Sequence, residues 1–281
     1  MRGRLLLLTA VLANTASLPL CAAQPLTIVI CAPGYPGSTA EAQTTMDLFA
    51  GALARTTGLA SQTVAAVYFE NEAAGLARLG EKDVALTIVP LPFYLAHAKA
   101  LKLQARLQVV AKGGDGAEIW SLVAKKGRVA NVAALAGWEL VSLAAYVPAF
   151  VDRVALAGWG PLPSSVKLLH TGAVLSALRR AANGDNVALL LDAQQADAIT
   201  KLPFAAEIET VHRSAQLPAA ILCSVGARGK DPAVPKLLAA LATFHARPEG
   251  PAVLDALRLA RFIALDDKAL SHARALFGGG S

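Results

Sequence analysis

The chain is short of charge and of aromatic rings. Of its 281 residues, 16% are Asp, Glu, Lys or Arg and 5% are Phe, Trp or Tyr, against 55% hydrophobic. A disordered chain shows the opposite balance, so a packed core is expected. Alanine and leucine supply most of the apolar share, which suits small-residue helices packed on a sheet. The length accommodates one large domain or two lobes of ordinary size.

Basic clusters are scarce too. The formal net charge is +6, but apart from Lys125-Lys126-Gly127-Arg128 the cations are scattered, with no aromatics interleaved. That argues against nucleic-acid binding. A mild positive surplus is compatible with an anionic ligand without requiring one.

The signatures of common catalytic sites are missing. There is no HExxH or CxxC, no GxSxG elbow and no Walker loop. Five histidines occur, His97, His170, His212, His245 and His272, none at metal-ligand spacing. The expectation is a protein without a metal or cofactor and without catalysis. Of the three cysteines, Cys21 precedes the expected mature chain. Cys31 and Cys223 each sit in an apolar, strand-like run. Two buried thiols and a disulfide are both open readings.

Long apolar runs are confined to the N-terminus. Residues 132–151 come closest elsewhere, with Glu139 as their one charge, but Gly137 and Pro148 interrupt them. At the start, Arg2 and Arg4 precede an apolar stretch over 5–12, and Cys21-Ala22-Ala23 precede Gln24. This predicts a signal peptide over 1–23 and a periplasmic mature chain. The alternatives are a buried N-terminal helix and a lipoprotein anchored at Cys21, where Leu20 stands in place of the small residue wanted.

What the sequence does contain is alternation. Residues 26–32 form a β-branched apolar run, as in a strand buried on both faces. Pro33-Gly34-Tyr35-Pro36-Gly37 breaks it, and Ser38 with Glu41 three positions on makes a capping box for a helix to about Thr57. Strands at 63–69 and 83–89 with helices at 71–79 and 93–100 complete a βαβαβ pattern, which predicts a doubly wound sheet. After the flexible stretch 112–116 the pattern restarts. Strands are expected at 118–124, 138–143, 165–169 and 187–191, and helices at 132–136, 146–157, 173–182 and 193–200. Strand-like runs follow at 208–211 and 219–225, then helices at 232–245, 251–260 and 267–276. These last three have no matching strands and are expected to pack on the first lobe. The expected division is 24–113 for lobe one, 114–204 for lobe two, and 205–281 back in lobe one.

Several stretches carry a resemblance to a known family. They are Val84-Ala85-Leu86-Thr87-Ile88-Val89-Pro90 with Phe93, then Glu118-Ile119-Trp120-Ser121-Leu122-Val123 running to Gly127, and Ala133-Ala134-Leu135-Ala136-Gly137-Trp138. Ala177-Leu178 with Asn183-Gly184-Asp185, and residues 254–267, continue it. In this order they resemble the phosphate, phosphite and phosphonate-type substrate-binding proteins of ABC transporters. The resemblance implies a type 2 periplasmic binding fold, two α/β lobes with doubly wound sheets joined by a two-crossing hinge. It implies a small polar or anionic solute, phosphonate- or phosphate-like, and an ABC transporter permease as partner, with the binding protein a monomer. The family's hydroxyl cluster on lobe two is reduced here to Ser142-Leu143-Ala144-Ala145-Tyr146. His170 stands about one position before the family's histidine. The family's anion site is therefore not expected on this side of the cleft, and the loss of the hydroxyl cluster at Ala144 and Ala145 argues for a larger, less charged solute than free phosphate. A periplasmic sensor or accessory module, and an enzyme on the same scaffold, are the competing functions.

Seven residues are the candidate ligand contacts. Tyr35, Ser38 and Thr39 join a buried strand to a helix N-terminus, where free N–H groups favour an anion or polar oxygen. A plain capped turn is the alternative. Phe93 either stacks on a ligand or packs inside. Ser142 and Tyr146 face them from lobe two. Asp192 either accepts a hydrogen bond from the ligand or caps the following helix. Trp120, near the hinge, is read as core.

Overall fold

The computed structural model describes residues 24–279. The expected signal peptide, including Cys21, lies outside those residues.

The first lobe begins with β1 (Leu26–Cys31), whose alternate side chains enter two different cores. Leu26 and Ile28 face one, Val29 and Cys31 the other. That alternation is the period of a strand covered on both sides. Helix α1 (Thr39–Thr57) follows, capped by Ser38 and Glu41 and ended by Gly58 at φ 67°, a left-handed angle glycine adopts without steric cost. Its Met46, Phe49 and Leu53 are buried in the first core. Full burial of each is worth about 1.5–3 kcal/mol. Next come β2 (Val64–Phe69), α2 (Glu72–Leu79), β3 (Val84–Pro90), α3 (Leu91–His97) and β4 (Leu103–Ala111).

The chain then leaves this sheet through the short β5 (Ala117–Glu118). The second lobe holds β6 (Ser121–Lys125), β7 (Glu139–Ser142), α4 (Pro148–Phe150), β8 (Lys167–His170), α5 (Val174–Asn183), β9 (Val187–Leu191), α6 (Ala193–Ile199) and β10 (Ile208–Arg213). It returns through β11 (Leu217–Pro218) into β12 (Ala220–Val225), α7 (Val234–Ala242), α8 (Gly250–Ala256), β13 (Leu259–Ile263) and α9 (Asp267–Phe277).

Three sheets result. The lobe-one sheet has the order β13-β4-β12-β3-β1-β2, and the lobe-two sheet β10-β6-β9-β7-β8. In the first, β1 runs parallel to β2 and β3, while β12 lies antiparallel between β3 and β4. Helices cover both faces of that sheet, α1, α7 and α8 on one side and α3 and α9 on the other. The third sheet is the pair β5–β11, with Leu217 opposite Glu118. This two-stranded ribbon is the hinge, because it contains one strand of each crossing.

Three sequence expectations are corrected. Residues 205–213 were assigned to lobe one, but β10 pairs antiparallel with β6 in the lobe-two sheet, so the return crossing falls at 214–218. The helix expected over 146–157 is only one α-turn at Pro148–Phe150, followed by a π-helical turn at Val151–Ala155. Tyr146 therefore precedes the helix instead of opening it. The helix expected over 251–260 stops at Ala256. Arg258, at φ 56°, turns the chain into β13, which pairs antiparallel with β4. The C-terminal helices thus have a strand of their own on the lobe-one sheet. Helix α9 also touches the second lobe, where Arg153 donates to the Phe277 carbonyl.

Cys31 and Cys223 are both buried, free thiols. Burial pushes the Cys31 thiol up to about 12. Among the described residues, no helix is long and apolar enough to cross a membrane.

Candidate functional site

The carboxyl ends of β1 and β3 face the second lobe. There Pro33, Tyr35, Pro90, Glu118, Trp120 and Tyr146 surround a nearly filled cleft with about 10 Å³ of free space, room for about one water. In open α/β sheets this edge is where ligands collect. A wider hollow, beside Lys82, Lys102 and Arg228, lies at the opposite end of the lobe-one strands and has no contribution from lobe two.

The two lobes touch at specific atoms. The Tyr35 hydroxyl donates to Asp192 Oδ2 at 3.3 Å, from one lobe to the other. The Tyr68 hydroxyl donates to the Tyr35 carbonyl at 3.4 Å and holds that loop from behind. Gly34, at φ 81°, comes so near lobe two that a Cβ there would stand 2.6 Å from His170 Nε2 and 2.9 Å from Leu143 Cδ2. No residue larger than glycine fits this approach without displacement. The lobes are therefore closed on each other at this point.

Of the seven candidates, Tyr35, Tyr146 and Asp192 are brought together. Tyr35 and Tyr146 line the cleft, and Asp192 is buried against Tyr35. The other four are spent elsewhere. Ser38 donates from both its amide and its hydroxyl to Glu41, 2.9 and 2.8 Å away. Thr39 donates from amide and hydroxyl to Glu70 Oε2, both at 3.1 Å. Phe93 is fully buried and packs on His97 with ring centroids 4.7 Å apart. Ser142 is fully buried as well. Its hydroxyl donates to the Leu190 carbonyl and accepts from the Ala144 amide. Buried polar groups satisfied in this way hold the backbone rather than a ligand.

Two residues the sequence reading did not choose belong to the cleft wall. Glu118, on the hinge strand β5, accepts from the Ala193 amide at the start of α6. Trp120, expected as core, is 5% exposed and lines the cleft. Its indole N–H has no hydrogen-bond partner. The Tyr146 hydroxyl is also buried, and the backbone of Phe93 is its nearest polar neighbour. His170 packs against the Tyr146 ring, centroids 5.2 Å apart.

The electrostatics are those of carboxylates drawn into a poorly solvated place. Burial pushes the Glu118 carboxyl up to about 7. The Ala193 N–H works against that shift, and the charges of Asp192, Asp115 and Asp197 add to it. Burial also raises Asp192, against the Gln195 N–H and the Tyr35 hydroxyl, which favour its ionised form. Tyr35 and Tyr146 are held well above the usual phenol range, first by burial and then by neighbouring negative groups. Asp192 also caps α6, accepting from the Gln195 amide at 2.8 Å. The helix-cap reading of Asp192 holds, and its other partner is the Tyr35 hydroxyl. Among the described residues, no group of three or more His, Cys, Asp or Glu is placed to hold a metal ion.

Several solved structures share this architecture. XAC2383 of Xanthomonas citri bound to ATP superposes with a TM-score of 0.69 at 16% identity, over 91% of this chain and 97% of that one. A binding protein component of an ABC phosphonate transporter of Pseudomonas aeruginosa gives 0.60 at 17% identity, over 90% and 85%. PhnD1 of Prochlorococcus marinus in complex with methylphosphonate gives 0.62 at 13% identity, over 90% and 97%. At such identities the likeness shows the fold, the two-lobed type 2 periplasmic-binding architecture. No curated protein matches the chain by sequence. The family model for the periplasmic phosphonate substrate-binding protein of ABC transporters matches residues 36–270. That span covers the lobe-two sheet, the hinge ribbon, every strand of the lobe-one sheet except β1 and most of the cleft wall, and the chain belongs to this family of ABC transporter substrate-binding proteins.

Proposed function

We propose that the exported mature chain, beginning near Gln24, captures one small solute in the cleft between its lobes and presents it to an ABC permease. The observation that carries this reading is the Tyr35–Asp192 hydrogen bond, which joins lobe one to lobe two at the cleft. The hinge ribbon β5–β11 supports it, since a two-stranded connection allows one lobe to rotate against the other. Tyr35, Tyr146 and Asp192, with Glu118 and Trp120, form the contact set. Ser38, Thr39, Phe93 and Ser142 support the walls. The protein acts as a monomer and performs no chemistry on the solute. No nucleophile paired with a base lines the cleft.

Native mass spectrometry of the protein recovered from the periplasmic fraction tests this. The expected spectrum shows a chain lacking residues 1–23 and carrying one small adduct that denaturation releases. A chain that retains residues 1–20, or one that neither carries nor acquires any solute from a periplasmic extract, contradicts it.

A further inference from the structure

The closed cleft has no room for a solute while its walls stand as they are. About 10 Å³ of it is free, and a single water needs about 10–15 Å³. Even methylphosphonate is several times larger than a water. A solute enclosed between the lobes must therefore take the place of a side chain that is already there.

Most of the wall is tied down. Pro33, Pro90 and Pro92 carry rings fixed to the backbone. Tyr35 donates to Asp192, and its carbonyl accepts from Tyr68. Glu118 accepts from the Ala193 amide. Trp120 packs edge-on against the fully buried Phe150, centroids 5.3 Å apart, and its amide donates to the Ser214 hydroxyl. Tyr146 is different. It stands in the irregular segment between β7 and the α-turn at Pro148. Its hydroxyl is its buried end, with the Phe93 backbone beside it and no side chain bonded to it. The residue as a whole is only half-buried, and its ring packs on His170, which is exposed. The ring thus runs from the surface into the cleft, in the manner of a stopper. Trp120 lines the same cleft, and its buried indole N–H has no partner. A buried donor left open in this way lacks an acceptor that a solute oxygen supplies.

We infer that Tyr146 is the plug of the cleft: its ring fills the solute's own place, and a solute is held only once that ring has been displaced. The inference rests on solute capture in this cleft and adds what limits it. Apparent affinity then equals the intrinsic affinity reduced by the fraction of molecules whose ring is displaced. Shortening the side chain removes that reduction. The solute that gains most is one bringing a ring of its own to refill the space.

Isothermal titration calorimetry of the full protein with methylphosphonate and phenylphosphonate tests this on the parent, Tyr146→Ala and Tyr146→Leu. Tyr146→Ala is expected to bind both probes more tightly than the parent, and phenylphosphonate about tenfold or more. A tenfold gain corresponds to a ring displaced in about one parent molecule in ten. Tyr146→Leu keeps apolar packing beside His170 and removes the deep end of the ring, so a smaller gain is expected. It carries the test if circular dichroism shows Tyr146→Ala to be unfolded. Affinity in a folded variant equal to or below that of the parent overturns the inference. So does failure of both phosphonates to bind any of the three proteins. The adduct found by native mass spectrometry decides solute capture separately: an adduct on the parent with no gain in the variants removes the plug and leaves capture standing.

Discussion

Tyr35 and Asp192 stand 157 positions apart and meet through one hydrogen bond, phenol to carboxylate, across the boundary between the lobes. The contact has two consequences. It ties the loop after β1 to the helix cap of α6, so closure is registered at both walls. It also spends part of the acceptor capacity of a carboxylate that burial has made uncomfortable.

Tyr35→Phe removes the hydroxyl and keeps the ring. The bond is long at 3.3 Å, so its loss is expected to cost about 1 kcal/mol of closed-state stability. Affinity for the solute identified by native mass spectrometry should fall about fivefold, with the melting temperature of the free protein little changed. Equal affinity in both proteins would show that this bond does not contribute to closure.

Gly34→Ala acts on the same boundary by sterics. The added methyl meets His170 and Leu143, and the left-handed backbone costs a further 1 kcal/mol or so for a residue with a Cβ. The lobes should rest more open. Small-angle scattering at saturating solute is expected to give a larger radius of gyration for Gly34→Ala than for the parent. Identical radii would mean that His170 and Leu143 move aside freely.

The pH dependence of stability should carry the mark of Glu118. Its carboxyl is raised to about 7 in the folded chain, against about 4.5 for the ordinary group. The folded state therefore binds the proton more tightly than the unfolded state does. Stability from this group is highest below about pH 4.5 and falls as pH rises to about 7, above which the full cost of an ionised, buried carboxylate remains. The change amounts to about 3 kcal/mol. Denaturant melts from pH 5 to pH 8 should show this decline in the parent, and a shallower one in Glu118→Gln. The same slope in both would remove Glu118 from the explanation.

Asp83 has the opposite sign. Arg78 and Thr27 hold its carboxyl down to about 2, below the ordinary 3.8. Its contribution is complete above pH 4 and disappears as pH falls through 2. Because the pair is partly open to solvent, about 1 kcal/mol is at stake. Asp83→Asn should lower stability by about that amount at pH 6 and by little at pH 2. A uniform loss at both values would point to packing instead of charge.

The sequence was legible wherever the deciding interactions were local. The Ser38–Glu41 capping box spans three positions and forms as expected. The β1 run announced a strand covered on both faces. What it could not reveal was pairing at long range. Residues 259–263 have too short an alternation to declare a strand after a helical stretch, and only β4, about 150 positions earlier, makes them one. β10 went to the wrong lobe for the same reason, since its partner β6 lies more than eighty positions back.

The site shows this limit more sharply. Thr39 has the right residue type at the right place for a ligand, but Glu70, 31 positions on, takes its donors. Ser142 ends β7 one position before the expected strand end and is turned inward to Leu190. Glu118 stood in the sequence only as the first residue of the strand expected at 118–124. It becomes a cleft group only because the hinge ribbon sets it beside the cap of α6.

Capture between the lobes, at the face formed by Tyr35 and Asp192, is tested most directly by hydrogen–deuterium exchange with and without the solute found by native mass spectrometry. Protection is expected at 33–39, 117–120, 143–147 and 192–195, on both sides of the cleft at once. Protection confined to one lobe, or centred on the hollow beside Lys82, Lys102 and Arg228, would contradict it.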